Sequence, residues 1–404
     1  MKKILVLLFI PIYISVQSQG IAFDKEKYNS MKEYNFDDLG FIDLPKSYSL
    51  REYAPIPETQ VGNSCVGFSV AYSAMSIQFN KELGITSDGF KRFFSFDPYF
   101  IYSNISNNFF NSRCKKPTIM ENALYVLKYY GCKRFFVAPF LDCKNKAKSE
   151  SFPFARPFKI RSFYAIKDIE DKEGLITKLK KIVNNGRVPV VGIITDNSIY
   201  NVNEKGFWKP TKNDIHQFGH ALSIIGYNDN KYGGCFELMN SWGADYGDNG
   251  FMWIKYEDLA SITDEAYVIE TYPIAESSCK VGNCYNGYGT RILDNIIGEG
   301  FFINGALNGF GIRAAKDKSV IYAGQFKNGY VHGAGLVHLE AENKIYFVTS
   351  KNGEFLKLEG VFPSETLNPN HSVQGGQMTS MLDDATSLLL IYETKGTRLC
   401  NNRY

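Results

Sequence analysis

From Ser64 to Phe79 small and apolar residues fill nearly every position. No polar face interrupts the run, which predicts a helix buried on most of its sides. A second helix is expected after Thr118-Ile-Met-Glu121, which has the form of a capping box. Ala123, Leu124 and Leu127 follow it at helical spacing up to Gly131. A third is predicted over Gly174–Asn185, with Leu175, Leu179 and Ile182 on one face and Gly186 ending it. Beyond that point the period changes. Val188–Thr195, Ala221–Tyr227, Cys235–Asn240, Phe251–Tyr256 and Tyr267–Thr271 are short β-rich runs separated by turn residues. Helices first and antiparallel strands second define an α+β arrangement of two lobes, with room for a site between them.

Past residue 278 glycine becomes frequent. Asn-Gly recurs at 304–305, 328–329 and 352–353, 24 residues apart each time, and Gly-x-Gly recurs at 287/289, 309/311 and 333/335. Asn-Gly supplies the positive φ angles of a tight hairpin, and paired glycines permit close backbone approach. A lone hairpin buries too little to be stable, so several units must stack. Residues 361–404 add an apolar strand candidate, Leu388–Tyr392, without a clear place.

The other end of the chain carries a different signal. Met1-Lys-Lys precedes an apolar stretch from Ile4 to Val16, and Val16 and Ser18 suit positions −3 and −1 of a cleavage point. Residues 1–18 thus read as a secretory signal peptide, giving a secreted, periplasmic or cell-surface protein. Lys2 and Lys3 account for two of the three net positive charges. The remainder is close to neutral, so nothing electrostatic points to nucleic acid. Of eight cysteines, Cys114 with Cys143 and Cys279 with Cys284 are the expected disulfides, although spacing alone does not dictate connectivity.

Three segments carry candidate chemistry. Gln60-Val-Gly-Asn-Ser-Cys65-Val-Gly-Phe-Ser sets a thiol where the first helix begins. Gly219-His220-Ala-Leu-Ser and Met239-Asn240-Ser-Trp242-Gly-Ala-Asp-Tyr-Gly-Asp-Asn-Gly-Phe251 lie far downstream. A helix N-terminus beside an imidazole favours thiolate over thiol, and an amide can orient the imidazole. His216 and His220 are four apart and could share a helix face as metal ligands, but the strand expected from Ala221 and the lack of a third ligand argue against it. No metal or other cofactor is expected.

Together the three segments resemble the papain-like cysteine peptidases, over about residues 41–275. Leu44-Pro-Lys-Ser-Tyr-Ser-Leu-Arg51 looks like the start of such a mature domain. The resemblance implies a papain-like two-lobed fold, a helical lobe plus a β-barrel-like lobe, in a domain spanning 44–275. It implies Cys65 as nucleophile, His220 as acid and base, Asn240 as its orienter and Gln60 as oxyanion donor. Trp242 would shield the His220–Asn240 bond, and Ser64 would line the site. Protein or peptide is the implied substrate. Gln60 precedes Cys65 by five residues where the family has six, Gly62 and Val66 replace a cysteine and a tryptophan, and the familiar Gly-Gly is absent near Lys115-Lys-Pro-Thr118. These departures motivate a rival reading, a catalytically inactive binding protein; hydrolysis of peptidoglycan cross-links is a third. Residues 19–43 would be a short propeptide or N-terminal arm. The family's long helical inhibitory propeptide is not visible there, which argues against self-inhibition.

Tyr322-Ala-Gly-Gln-Phe-Lys-Asn-Gly-Tyr-Val-His-Gly-Ala-Gly335 resembles the MORN repeat. That resemblance implies an all-β repeat sheet over 278–360, and a protein or membrane-surface partner for it. His332, His338 and His371 fall in the repeats or the tail and are expected to be structural or exposed.

Overall fold

A computed structural model describes residues 20–39, 43–105, 114–135, 149–203, 205–211, 217–315 and 320–363. The signal-peptide reading, Cys143, His216, and the tail with Leu388–Tyr392 lie outside these residues.

The chain enters through a short helix, α1 (Lys25–Ser30), capped by the Asp24 carboxylate on Lys27 N at 3.0 Å. A three-residue strand, β1 (Ser47–Ser49), follows. The buried helix expected from Ser64 is present but irregular. It starts as α2 (Cys65–Gly67), passes through a π-helical stretch, Phe68–Met75, and ends as α3 (Ser76–Leu83), with Gly84 in the left-handed region at φ 68°. The Ser76 hydroxyl donates to Ala71 O, five residues back, at 3.1 Å within the widened turns. Such π-helical insertions are frequent at functional sites.

Two helices not expected from the sequence, α4 (Asp88–Phe94) and α5 (Pro98–Ile105), pack beside it. The capping-box reading at Thr118 is corrected: α6 runs Met120–Tyr129, with Ile119 at its N-cap and no side-chain cap bond. The Thr118 backbone is engaged elsewhere, and the Glu121 carboxyl turns into the core to meet the Tyr267 hydroxyl. After the short α7 (Phe152–Ala155) and a strand missed in the sequence, β2 (Ile160–Ala165), comes α8 (Lys172–Asn184). Asp171 caps α8 by accepting from Gly174 N at 3.1 Å.

The strand-rich lobe comprises β3 (Pro189–Thr195), β4 (Phe207–Trp208), β5 (Phe218–Asn228), β6 (Cys235–Met239), β7 (Phe251–Lys255) and β8 (Thr263–Thr271), with α9 (Tyr256–Ile262) between the last two. Their order is β2-β8-β3-β5-β6-β7-β4, antiparallel except for β4 on β7, and β1 pairs with β5. One face carries a core of Leu175, Leu179, Val191, Ile193, Leu222 and Ile224. The other packs on the buried helix, where Ser223 Oγ donates to Ser69 O at 3.0 Å and Val188 N donates to Gln78 Oε1 at 3.0 Å.

The glycine-rich segment is a separate eight-stranded antiparallel meander: β9 (Cys279–Gly282), β10 (Gly287–Leu293), β11 (Ile296–Ile303), β12 (Ala306–Ala315), β13 (Val320–Lys327), β14 (Tyr330–Leu339), β15 (Lys344–Lys351) and β16 (Glu354–Pro363). The Asn-Gly pairs at 304–305, 328–329 and 352–353 each form a hairpin turn. Asn304, Asn328 and Asn352 have φ of 50°, 51° and 51°, and the following glycines are also positive. That is the backbone a two-residue type I′ turn demands. Gly311 faces Gly300, and Gly335 faces Gly324, in the register. Cys279 and Cys284 form a disulfide. Cys114 is also disulfide-bonded, while Cys65, Cys132 and Cys235 are free.

The meander lies against the helical lobe. Ile297, Ile312, Ala314 and Ile321 join the same apolar core as the buried helix. No helix among the described residues is long and apolar enough to cross a membrane.

Candidate active site

Cys65 is the first residue of α2, fully buried. The loop before it is pinned by Asn63, whose amide donates to Lys115 O at 2.5 Å and whose N–H donates to Cys114 O at 2.5 Å. His220 lies on β5 and Asn240 directly after β6, neighbouring strands of one sheet. The His220 Nε2 and Asn240 Oδ1 atoms are 2.8 Å apart. This bond commits Nε2 and leaves Nδ1 outside it. Trp242 covers the pair, with ring centroids 5.0 Å from His220 and 5.0 Å from Tyr200. The loop carrying Trp242 is tied down by Arg51, which bonds Asp248 at 2.7 Å and Glu237 at 3.1 Å.

Gln60 joins the same loop. Its Nε2 donates to Gly62 O at 2.5 Å, and its Oε1 accepts from Ser241 Oγ at 2.5 Å. Ser64 does not line an open surface: it is buried and its hydroxyl turns back to Val61 O at 2.9 Å. Among the described residues no group of three or more His, Cys, Asp or Glu side chains could hold a metal ion.

Residues 19–43, read as a short propeptide or N-terminal arm, meet the candidate site at their start. Residues 20–23 lie across the thiol. Gly20 N donates to Gly219 O at 3.2 Å, Ala22 N to Thr118 O at 3.0 Å, and Thr118 N to Gly20 O at 3.3 Å. Ile21 and Thr118 therefore pair as parallel strands, and the arm bridges both lobes. Gly20 sits so close to Cys65 that a Cβ there would overlap Sγ. Downstream, Lys25 pairs with Asp264 at 3.3 Å, Tyr28 OH donates to Ile166 O at 2.5 Å, and the Tyr28 ring meets Tyr267 edge-on at 5.3 Å. The sequence signal for this strap was weak: Gly-Ile-Ala-Phe shows neither period nor motif.

Cover explains the electrostatics. Burial pushes the Cys65 thiol up to about 12, although backbone groups of Ala221, Val66 and Cys65 itself pull the other way. Burial likewise drops His220 to about 4, against the opposing bond to Asn240. In the covered form both groups are neutral at physiological pH. An ion pair must await water or substrate.

Beneath the arm lies a second pair of acids. Glu121 of α6 and Glu265 of β8 are buried on either side of the Tyr267 hydroxyl, which donates to Glu121 and lies 3.5 Å from Glu265 Oε2. Burial raises Glu265 to about 9, helped by the charges of Glu121, Asp264 and Asp24, while Tyr267 opposes it. A carboxyl protonated in the fold but ionised in the unfolded chain stabilises fully below the ordinary value near 4.3, and that contribution is lost as pH rises towards about 9. Stability by urea unfolding should therefore fall less between pH 5 and pH 8 in Glu265→Gln than in the wild type. Equal falls would mean that Glu265 does not hold the proton.

A thiol at a helix start, against the backbone of Ala221 next to an imidazole tied to an amide, fits the thiol-dependent acyl-transfer folds. The comparisons narrow this class. Residues 106–271 match the model of the papain family of cysteine proteases, a segment that includes His220 and Asn240 but begins after Cys65. Over 82 residues the chain is 34% identical to a cathepsin B-like protein, CP1, of Giardia intestinalis, covering 20% of this chain. It thereby spans about a quarter of that curated relative's length, 26%. Xylellain, a cysteine protease from Xylella fastidiosa, is similar in fold, with a TM-score of 0.50 at 22% identity over 63% of this chain and 97% of its own. A procathepsin L2 proteinase from the Tenebrio molitor larval midgut gives 0.50 at 17% identity over 66% and 82%. The match to the papain family thus covers residues 106–271, and the likeness to the solved structures is one of fold.

Proposed function

We propose that this protein is a secreted cysteine peptidase held closed by its own N-terminal arm. The observation that carries the reading is the His220–Asn240 bond of 2.8 Å beneath Trp242, with the Cys65 thiol, at a helix start, against the backbone of the adjacent Ala221. With the arm displaced, His220 Nδ1 takes the Cys65 proton and the sulfur attacks a peptide carbonyl carbon. The oxyanion is held by the Cys65 N–H and by the Gln60 amide, which exchanges Gly62 O for the substrate oxygen. The C–N bond breaks, imidazolium protonates the departing amine, and a thioester remains. Water then attacks that thioester with His220 as base, restoring the thiol.

Protein or peptide is the substrate class. Residues 44–275 form the peptidase, and 278–360 form MORN-type hairpin repeats that engage a protein or membrane surface. The test is a peptide-library digest by the full chain, wild type and Gly20→Val, in mild thiol reductant with mass-spectrometric readout. Cleavage that a thiol-directed epoxide abolishes, with the adduct mapped to Cys65, is the expected result. Silence from both proteins, or cleavage that persists after Cys65 is alkylated, would overturn the reading.

A further inference from the structure

We infer that Leu388–Tyr392 adds a ninth strand to the repeat sheet, pairing with the open edge of β16. The inference goes beyond the peptidase reading and stands without it.

The two ends of the meander are built differently. β9 is four residues long, and the Cys279–Cys284 disulfide closes over the turn that follows it. A short, stapled edge offers little backbone to another segment. β16 is ten residues long, Glu354–Pro363, and among the described residues it pairs with β15 alone. Alternate backbone N–H and C=O groups of β16 therefore point away from the sheet. Its side chains are as open as its edge. Glu354, Phe355, Leu356, Lys357 and Leu358 are exposed in succession, so neither face of this stretch is covered. Phe355, Leu356 and Leu358 are 56%, 60% and 55% exposed. The apolar row of Tyr322, Phe326, Val337 and Val348 runs out here, with the Phe355 ring 6.3 Å from that of Tyr322 on the last strand. A long apolar edge left in this state is a site of unwanted strand pairing.

The chain itself holds a segment of matching character. Within residues 364–404 the run Leu388-Leu389-Leu390-Ile391-Tyr392 is apolar at five consecutive positions. An alternating strand buries one face and wets the other, whereas an unbroken apolar run suits an edge that is open on both. Residues 364–387 connect it to β16. Extended, they reach about 80 Å, more than twice the roughly 33 Å of a ten-residue strand. The connection therefore permits pairing in either direction. It also decides between this occupant and a second copy of the chain. A tethered segment sits at an effective concentration on the order of millimolar, about a thousandfold above a second copy present at about 1 µM. Pairing satisfies the outward N–H and C=O groups, covers apolar surface of β16 and removes the edge on which two copies would otherwise join.

The test is hydrogen–deuterium exchange of the full chain, wild type and Leu390→Pro, read by mass spectrometry at about 1 µM and about 100 µM protein. Proline removes a ladder donor from the added strand and lies outside the eight-stranded meander, so unchanged exchange in β13 and β14 reports that the sheet is folded. Amides of β16 and of residues 386–394 should exchange about tenfold or more slowly in the wild type than in Leu390→Pro, equally at both concentrations. Identical β16 exchange in the two proteins would overturn the inference. So would protection of β16 that appears only at the higher concentration, which would put a second copy on the edge instead. Neither result touches Cys65, so failure here leaves the peptidase reading standing.

Discussion

Gly20→Val will expose the thiol. In the closed form a Cβ at residue 20 overlaps Cys65 Sγ, and Asn63 Cα lies 3.8 Å from the same point. The sulfur cannot retreat far, because Cys65 is fully buried and its Cβ is 3.5 Å from that added carbon. Holding the strap against this overlap are three backbone bonds across the cleft, each worth about 0.5–1.5 kcal/mol net. Overpacking of this kind costs about 1–3 kcal/mol, so the open population should rise about five- to 150-fold. The measurement is the rate of Cys65 carboxymethylation by iodoacetamide at pH 7, followed by mass spectrometry. Cys132 and Cys235 are buried free thiols and serve as internal controls for global unfolding. Acceleration at Cys65 alone places the barrier in the arm. Equal rates in both proteins would mean that the arm does not govern access.

The residues that carry the candidate chemistry were legible because each sits in a local motif: Cys65 at a helix start, His220 just before a β-rich run, Asn240 before Ser-Trp-Gly. Asn304, Asn328 and Asn352 were equally legible, since an Asn-Gly pair states its backbone angles directly. What stayed hidden depends on long-range packing. Thr118 and Glu121 satisfy a capping box by spacing, yet Ile21 claims the Thr118 backbone and Tyr267 claims the Glu121 carboxyl. Neither competitor is near in sequence. The same holds for the arm, whose placement over Cys65 is dictated by the edges it bridges at Thr118 and Gly219. It also holds for Gly192, an ordinary strand residue until Phe23 is seen above it.

The docking of the repeat sheet includes one such hidden contact. Arg134, in the helical lobe, bonds Glu299 of β11 through Nε to Oε1 at 2.9 Å and Nη2 to Oε2 at 3.0 Å, both side chains fully buried. Thr290 Oγ1 at 2.7 Å and Tyr288 OH at 3.3 Å donate to the same carboxylate. The guanidinium lies 4.2–4.5 Å from the ring centroids of Phe79, Phe96 and Phe158, and it donates to Phe94 O. Desolvating both ions is costly, so the pair adds little over an apolar contact, but removing one partner strands the other charge. Glu299→Ala should therefore lower stability by about 3–5 kcal/mol, whereas Arg134→Met with Glu299→Leu should recover most of it. All three tryptophans, Trp208, Trp242 and Trp253, belong to the strand-rich lobe and none to the repeats. Their fluorescence during urea unfolding thus reports on one unit while the substitution is made in the other. A large shift for Glu299→Ala in that signal means that the repeats and the peptidase unfold together, and that a peptidase expressed without residues 279–363 would lose the carboxylate that pairs with Arg134. An unshifted tryptophan transition would mean that the sheet docks by apolar packing alone and melts independently.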